Sequence, residues 1–222
     1  MNPVNAPILE GERLQEQLAL LAAREGLHQW DLGASCSTDL SVQVDRGEPK
    51  QMKAAERRAV TVRVWNDQGL VGITSTSDLS DAGLARALEG ARQASAFGNP
   101  EDIPAFSPLA KVPLHILEQP LSQRWSVLDL LDRLKAAERD LLSRHGAINT
   151  VPYNGLAQRA SERLYINSDG ALRHQRMSTA SLYLYARAEE AGRKPRSSGA
   201  VRLAHGVLDL DVDGCVAEAA ER

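Results

Sequence analysis

Aromatic residues are scarce, 4% of the 222-residue chain, with three tryptophans, four tyrosines and two phenylalanines. A core must therefore be built from Leu, Val, Ile and Ala, and the chain has little from which to make a stacking platform for bases. Cysteine is scarcer still. Cys36 and Cys215 lie far apart, without metal-ligand spacing and far below the density of a secreted disulfide scaffold, so both are expected as reduced thiols. Positive charge is not in excess: a formal charge of -3 and a pI near 6.0 offer a polyanion no long-range attraction. The local exception, 187–202, carries Arg187, Arg193, Lys194, Arg196 and Arg202 among Ser and Gly, and is expected as a solvated loop. No run approaches the roughly 18 apolar residues that a membrane span needs. Met1 to Glu12 lacks the basic start, apolar core and cleavage site of a secretory signal. The expected compartment is the cytoplasm, with no membrane and no direct nucleic-acid partner.

Catalytic signatures are missing as well. The histidines, His28, His115, His145, His174 and His205, form no HExxH helix and no close cluster with Cys or carboxylates. Asp209, Asp211, Asp213 and Gly214 reproduce the opening of a calcium loop, but Ala220 stands where the bidentate Glu is needed. Acidic residues at the start of a terminal helix, with Asp213 as its cap, are the simpler account. Ser35, Cys36 and Ser37 near His28, and the hydroxyl-rich turn Ser75 to Asp78, lack a nucleophile elbow. Gly155 and the Gly69 to Gly72 region show neither a P-loop nor a dinucleotide fingerprint. No catalytic, cofactor-binding or metal residue is assigned in this chain.

What is present is ordinary globular material, 43% apolar and 25% charged. Leu14, Leu18 and Leu21 recur at helical spacing, and Gly26 stops that helix. Trp30 to Cys36 is a short strand, and Leu40, Val42 and Val44 alternate as another, followed by an Arg46-Gly47 turn and a polar stretch open between strand and helix. Val60, Val62 and Val64 alternate toward an Asn66 to Gly69 turn and a return strand over Leu70 to Thr74, which predicts a hairpin. Ser80 caps a helix with Leu84, Leu88 and Ala91 on its apolar side. Five prolines within Phe97 to Pro120 rule out a regular element; Ile103, Phe106, Leu109, Val112 and Leu114 predict a connector packed along the body. Ser126 and Asp129 have capping-box spacing ahead of Leu130, Leu131, Leu134, Ala137 and Leu141. Strands follow at Ile148 to Val151, Gly155 to Ile166 and Ser178 to Ala188, with a Ser168-Asp169-Gly170 turn, and a helix begins near Val212.

The pattern is α+β: antiparallel sheets packed with amphipathic helices in two helix-plus-sheet units. The expected division is an N-terminal domain over 1–98, a proline-rich packed connector over 99–124 and a second unit over 125–222. Strand edges offer one functional opportunity, because an extended peptide can add to an exposed edge. Tyr183 and Tyr185, on one face of one strand, are the candidate interface or peptide contacts, against the plainer alternative of ordinary packing.

Several ordered segments carry a family likeness. LSVQVDRG over 40–47, RVWNDQGLVGITSTSDLS over 63–80, the following helix over 82–96, LYINSDGA over 164–171, the tyrosine-bearing strand through Tyr185 and the closing DGCVAEAAER together resemble the N-terminal portion of the TldD/PmbA family. That family is described as modulators of DNA gyrase and as parts of a zinc peptidase system. Its active subunit carries a His-Glu helix motif in a later domain; no such motif occurs in this chain. The resemblance is closer to the PmbA or TldE side, which lacks the zinc motif. It implies a noncatalytic region supporting assembly and peptide access in a two-subunit peptidase acting on unfolded peptides. Zinc would sit in the C-terminal domain of the parent or in the partner, and the partner would be a TldD-like subunit or a second copy. Two alternatives are the N-terminal part of a catalytic TldD-like metallopeptidase and a gyrase-modulating binding protein without peptidase role.

Overall fold

The computed structural model describes residues 9–99, 106, 108, 112 and 122–221. The regular elements are α1 (Gly11–Arg24), β1 (Gln29–Asp45), β2 (Glu48–Trp65), β3 (Val71–Thr76), α2 (Asp81–Ser95), α3 (Val127–Ser143), β4 (Ile148–Asn167), β5 (Leu172–Ala188), β6 (Arg196–Ala204) and α4 (Val212–Glu221). The strands form one antiparallel sheet in the order β3-β2-β1-β4-β5-β6, so the architecture is α+β. Only the β1–β4 pairing joins strands distant in sequence; the others are neighbours in the chain.

Local chemistry explains the hairpins. Arg46 and Gly47 both adopt positive φ, 52° and 79°, the two-residue geometry whose twist matches that of paired strands. This turn resolves the open assignment after it: the polar stretch is strand, because the reversal feeds it directly against β1. The predicted hairpin at Val60 to Thr74 is present, with Val62 opposite Thr74 and Val64 opposite Gly72. Trp30 to Cys36 and Leu40 to Val44 prove to be parts of one strand, since the period of two runs on through Thr38. Similarly, Ile148 to Val151 and Gly155 to Ile166 are both β4.

Two compact units are each assembled from three stretches of chain. The first comprises Met1–Ser37, Glu56–Gln119 and Ser161–Arg176, and the second Thr38–Ala55, Pro120–Ala160 and Met177–Arg222. In the first, Leu14 and Leu18 of α1 and Leu84 and Leu88 of α2 pack with Trp30, Leu32, Val60, Val62, Val64 and Ile166 of the sheet. Each fully buried Leu or Val of such a cluster contributes about 1.5–3 kcal/mol relative to exposure. Close approach is built in at Gly72, where a Cβ would stand 1.9 Å from the Ala91 carbonyl oxygen of α2. Ser80 caps α2 as expected, accepting from the Gly83 N–H at 3.1 Å.

In the second unit, Leu130, Leu134 and Leu141 of α3 and Cys215 and Val216 of α4 meet Val42, Val44, Leu156, Leu182 and Leu184. The α3 capping box is complete: the Ser126 hydroxyl accepts from the Asp129 N–H, and the Asp129 carboxylate accepts from the Ser126 N–H. Buried Glu138 accepts from the N–H groups of Arg46 and Gly47, at 3.1 and 2.7 Å, which ties the β1–β2 turn to α3.

Two expectations change. The basic stretch 187–202 is not one loop, because β6 starts at Arg196 and pairs with β5, Tyr185 opposite Gly199 and Tyr183 opposite Val201. Three of its five cations are also paired: Arg187 meets Glu189, Arg193 meets Glu190 and Arg202 meets Glu218. The cap of α4 is Asp211, whose carboxylate accepts from the Gly214 N–H at 2.9 Å; Asp213 sits inside the first turn. In the connector, Phe106 is half-buried but Val112 is 51% exposed, while Ile103, Leu109 and Leu114 lie outside the described residues. Among the described residues no helix is long and apolar enough to cross a membrane.

Candidate functional site

Alternation gives the first unit's part of the sheet two different faces. Trp30, Leu32, Ala34 and Cys36 of β1 point into the core beneath α1 and α2. Their odd-numbered neighbours face away, and the corresponding positions of β2, β4 and β5 do the same. On that second face lies a groove of about 660 Å³. Its floor is made of small residues, Gly33 and Ser35 from β1 with Ala59 and Thr61 from β2. Added at Gly33, a Cβ would meet nothing within 4 Å, so the floor there is open space rather than packed interior. Longer side chains from β4 and β5, Arg163, Tyr165, Arg173 and Gln175, form the other half of the lining. No carboxylate lines the groove among the described residues.

Beside it, three polar residues from three strands are locked together. Buried Asp31 of β1 receives both Nε and Nη2 of Arg63 from β2, with the Nε bond at 2.9 Å, and the Tyr165 hydroxyl donates to Asp31 at 3.2 Å. A two-point guanidinium–carboxylate contact of this kind fixes orientation as well as charge. Arg63 also lies over the Trp65 ring, 5.2 Å from its centre. Burial first, and then the adjacent Asp31 carboxylate, push the Tyr165 phenol above its ordinary pKa. This network positions the end of the groove; its charge is consumed internally.

The cations of the lining differ in their commitments. Arg173 donates to the backbone carbonyls of Leu172, at 2.8 Å, and Val112, at 3.0 Å. Arg163 is exposed and has no carboxylate partner among the described residues. His174 pairs with Glu162, Nε2 to Oε1 at 2.6 Å, and Glu162 also accepts from the Leu9 N–H at 3.2 Å. This is the sole involvement of a histidine with a buried carboxylate among the described bonds, and a two-member pair already holding a backbone N–H is a poor donor set for a metal. Among the described residues no group of three or more His, Cys, Asp or Glu is placed to hold a metal ion.

Tyr183 and Tyr185 belong to the second unit and do not line the groove. Each ring covers a glycine on a neighbouring strand: a Cβ at Gly155 of β4 would fall 2.5 Å from Tyr183, and one at Gly199 of β6 would fall 2.3 Å from Tyr185. The Tyr183 hydroxyl is also held by Gln43, at 2.7 Å. Tyr185 keeps 41% of its surface exposed, and Val201 and Leu203 of β6 are exposed as well. Packing over glycine and availability to a partner therefore coexist in this pair, more so at Tyr185.

Residues 30–95 match the profile of PmbA/TldA metallopeptidase domain 1, and residues 120–222 match that of the PmbA/TldA metallopeptidase central domain, which together account for most of the chain. No curated protein matches it. Among solved structures, a proposed modulator of a DNA gyrase from Thermotoga maritima superposes with a TM-score of 0.78 at 20% identity, over 95% of this chain and 47% of that one. TldE from Thermococcus kodakarensis gives 0.75 at 17% identity, over 95% and 46%. A proposed modulator of DNA gyrase from Bacteroides thetaiotaomicron gives 0.78 at 15% identity, over 96% and 49%. At these identities the likeness is one of fold, and the chain spans about half the length of the solved proteins it matches.

Proposed function

Since the chain belongs to the PmbA/TldD metallopeptidase family, we propose that it is a noncatalytic N-terminal region that supports assembly and peptide access in a two-subunit zinc peptidase of the cytoplasm. The observation that carries this reading is the groove on the first unit's second sheet face, whose lining among the described residues offers small residues and arginines but no carboxylate. Zinc, and the water it would activate, belongs to the C-terminal domain of the parent protein or to a TldD-like partner, and no chemical step is assigned to residues of this chain. Residues 1–98 and 125–222, joined by 99–124, serve as the two sequence domains of the wall, and each of the two gives strand segments to both interleaved compact units. Tyr183 and Tyr185 contribute to the contact with the partner subunit or a second copy, and unfolded peptides are the substrates of the whole.

The test is the metal content of the natural full-length product, purified with any partner that accompanies it. Zinc confined to a distinct partner supports the reading. Near one tightly held zinc in the parent chain itself replaces it with the N-terminal part of a catalytic TldD-like subunit. A second reading, gyrase modulation without peptidase role, draws on the names of two structural relatives. Association with gyrase that survives high salt and needs no peptidase partner would select it.

A further inference from the structure

The groove combines three properties that narrow its ligand. It crosses four adjacent strands, β2, β1, β4 and β5, so the groove as a whole measures about 14 Å across the sheet at the usual strand spacing of about 4.8 Å. At about 3.3 Å per residue, that length holds about four residues of extended chain. Its floor is small and weakly polar, through Gly33, Ser35, Ala59 and Thr61, and admits a backbone lying flat. The charged groups set into one wall are arginines, Arg163 and Arg173, with no opposing acid in the lining among the described residues. That wall stands out in a chain whose net charge is -3.

We propose that this groove is a docking site for an acidic, extended peptide segment, with alternate carboxylate side chains directed at the arginine wall and the peptide backbone against the small-residue floor. The sheet's own strands already use their backbone groups with one another here, so the segment crosses the strands instead of adding to them. Recognition therefore falls to side chains. Arg163 is the specificity residue: among the described residues its guanidinium has no carboxylate partner, and its fork geometry suits a carboxylate. Arg173, held by two backbone carbonyls, supplies a fixed charge beside it. The proposal rests on the peptide-access reading and names the class of peptide that reading leaves open.

Fluorescence anisotropy on the purified chain tests it, with a dye-labelled short peptide of alternating Glu and Ala and the same peptide with Lys in place of Glu. The expected result is binding of the Glu peptide at least tenfold tighter than the Lys peptide, weakening as salt is raised. R163E should reduce that affinity at least tenfold, and R163K, which keeps the charge but loses the fork, should fall between R163E and the parent. G33L, which places a side chain over the floor without altering charge, at a position where the Cβ itself meets nothing within 4 Å, should also cost at least tenfold. Equal affinity for the two peptides, or an R163E variant that binds as well as the parent, overturns the proposal. So does displacement of the Glu peptide by an equal concentration of succinate, which would make the groove a small-diacid site. Charge-blind peptide binding overturns this proposal while leaving peptide access intact; zinc held by the parent chain itself revises the noncatalytic assignment without touching the anisotropy result.

Discussion

At the scale of single residues, contacts decide more than composition. Gly72 marks the approach of β3 to α2, where a methyl group would strike the Ala91 carbonyl at 1.9 Å and the Ser95 amide nitrogen at 2.4 Å. Backbone atoms of a packed helix cannot move aside cheaply, so Gly72→Ala is expected to destabilise by about 3 kcal/mol, read from the urea midpoint at unchanged m-value. Tyr165 gives a pH signature. Its folded-state pKa is raised above the unfolded value of about 10, so its contribution is complete below that pH. It is lost as pH rises through the folded pKa, because the unfolded chain gives up its proton first. Tyr165→Phe should therefore show a shallower loss of stability than the parent between neutral pH and about pH 11, followed by chemical denaturation at fixed ionic strength. The residues of this cluster were not legible in advance. Asp31, Arg63 and Tyr165 come from three strands separated by long stretches of chain, and each alone is an unremarkable polar residue opposite an apolar one. The single hint was Asp31, a charge between Trp30 and Leu32 that only a two-faced strand accommodates.

Regular elements were legible where several local signals agreed. Ser126 and Asp129 announced α3 because the capping residues and the Leu130, Leu134, Leu141 stripe point to the same start and the same face. Removing the cap by Ser126→Ala should cost about 1 kcal/mol, a fall in Tm of about 2–4 °C for a chain of this size, measurable by thermal scanning of far-ultraviolet dichroism. Val60, Val62 and Val64 announced β2 in the same way, and all three are buried. Elements were hidden where signals conflicted. β6 is masked by Arg196, two serines and Gly199, whose missing side chain is replaced by the Tyr185 ring from the next strand. That substitution of a neighbour's ring for an absent side chain leaves no trace in local hydropathy. Under the proposed assembly, Tyr185→Ala is expected to weaken association with a TldD-like subunit or a second copy at least fivefold while moving Tm by less than Tyr183→Ala does, since Tyr183 carries the added bond from Gln43. Light scattering of the mixed subunits, beside thermal scans of each variant alone, distinguishes the two effects.

For the whole molecule, fold class followed from the order of elements, helices and antiparallel strands without strand-helix alternation, whereas the groove did not. Its lining draws on four strands, and Gly, Ser, Ala and Thr are the least conspicuous residues a floor can have. A site defined by what its side chains leave empty is visible only when the strands are side by side. The connectivity of the two units has a consequence for inheritance. Since β1, β2, β4 and β5 each contribute residues to both units, a genetic crossover that exchanged one unit alone would have to break four strands at once. The two units should therefore have descended together, and a chimera joining halves of distant relatives should fold only where its junctions fall outside those strands.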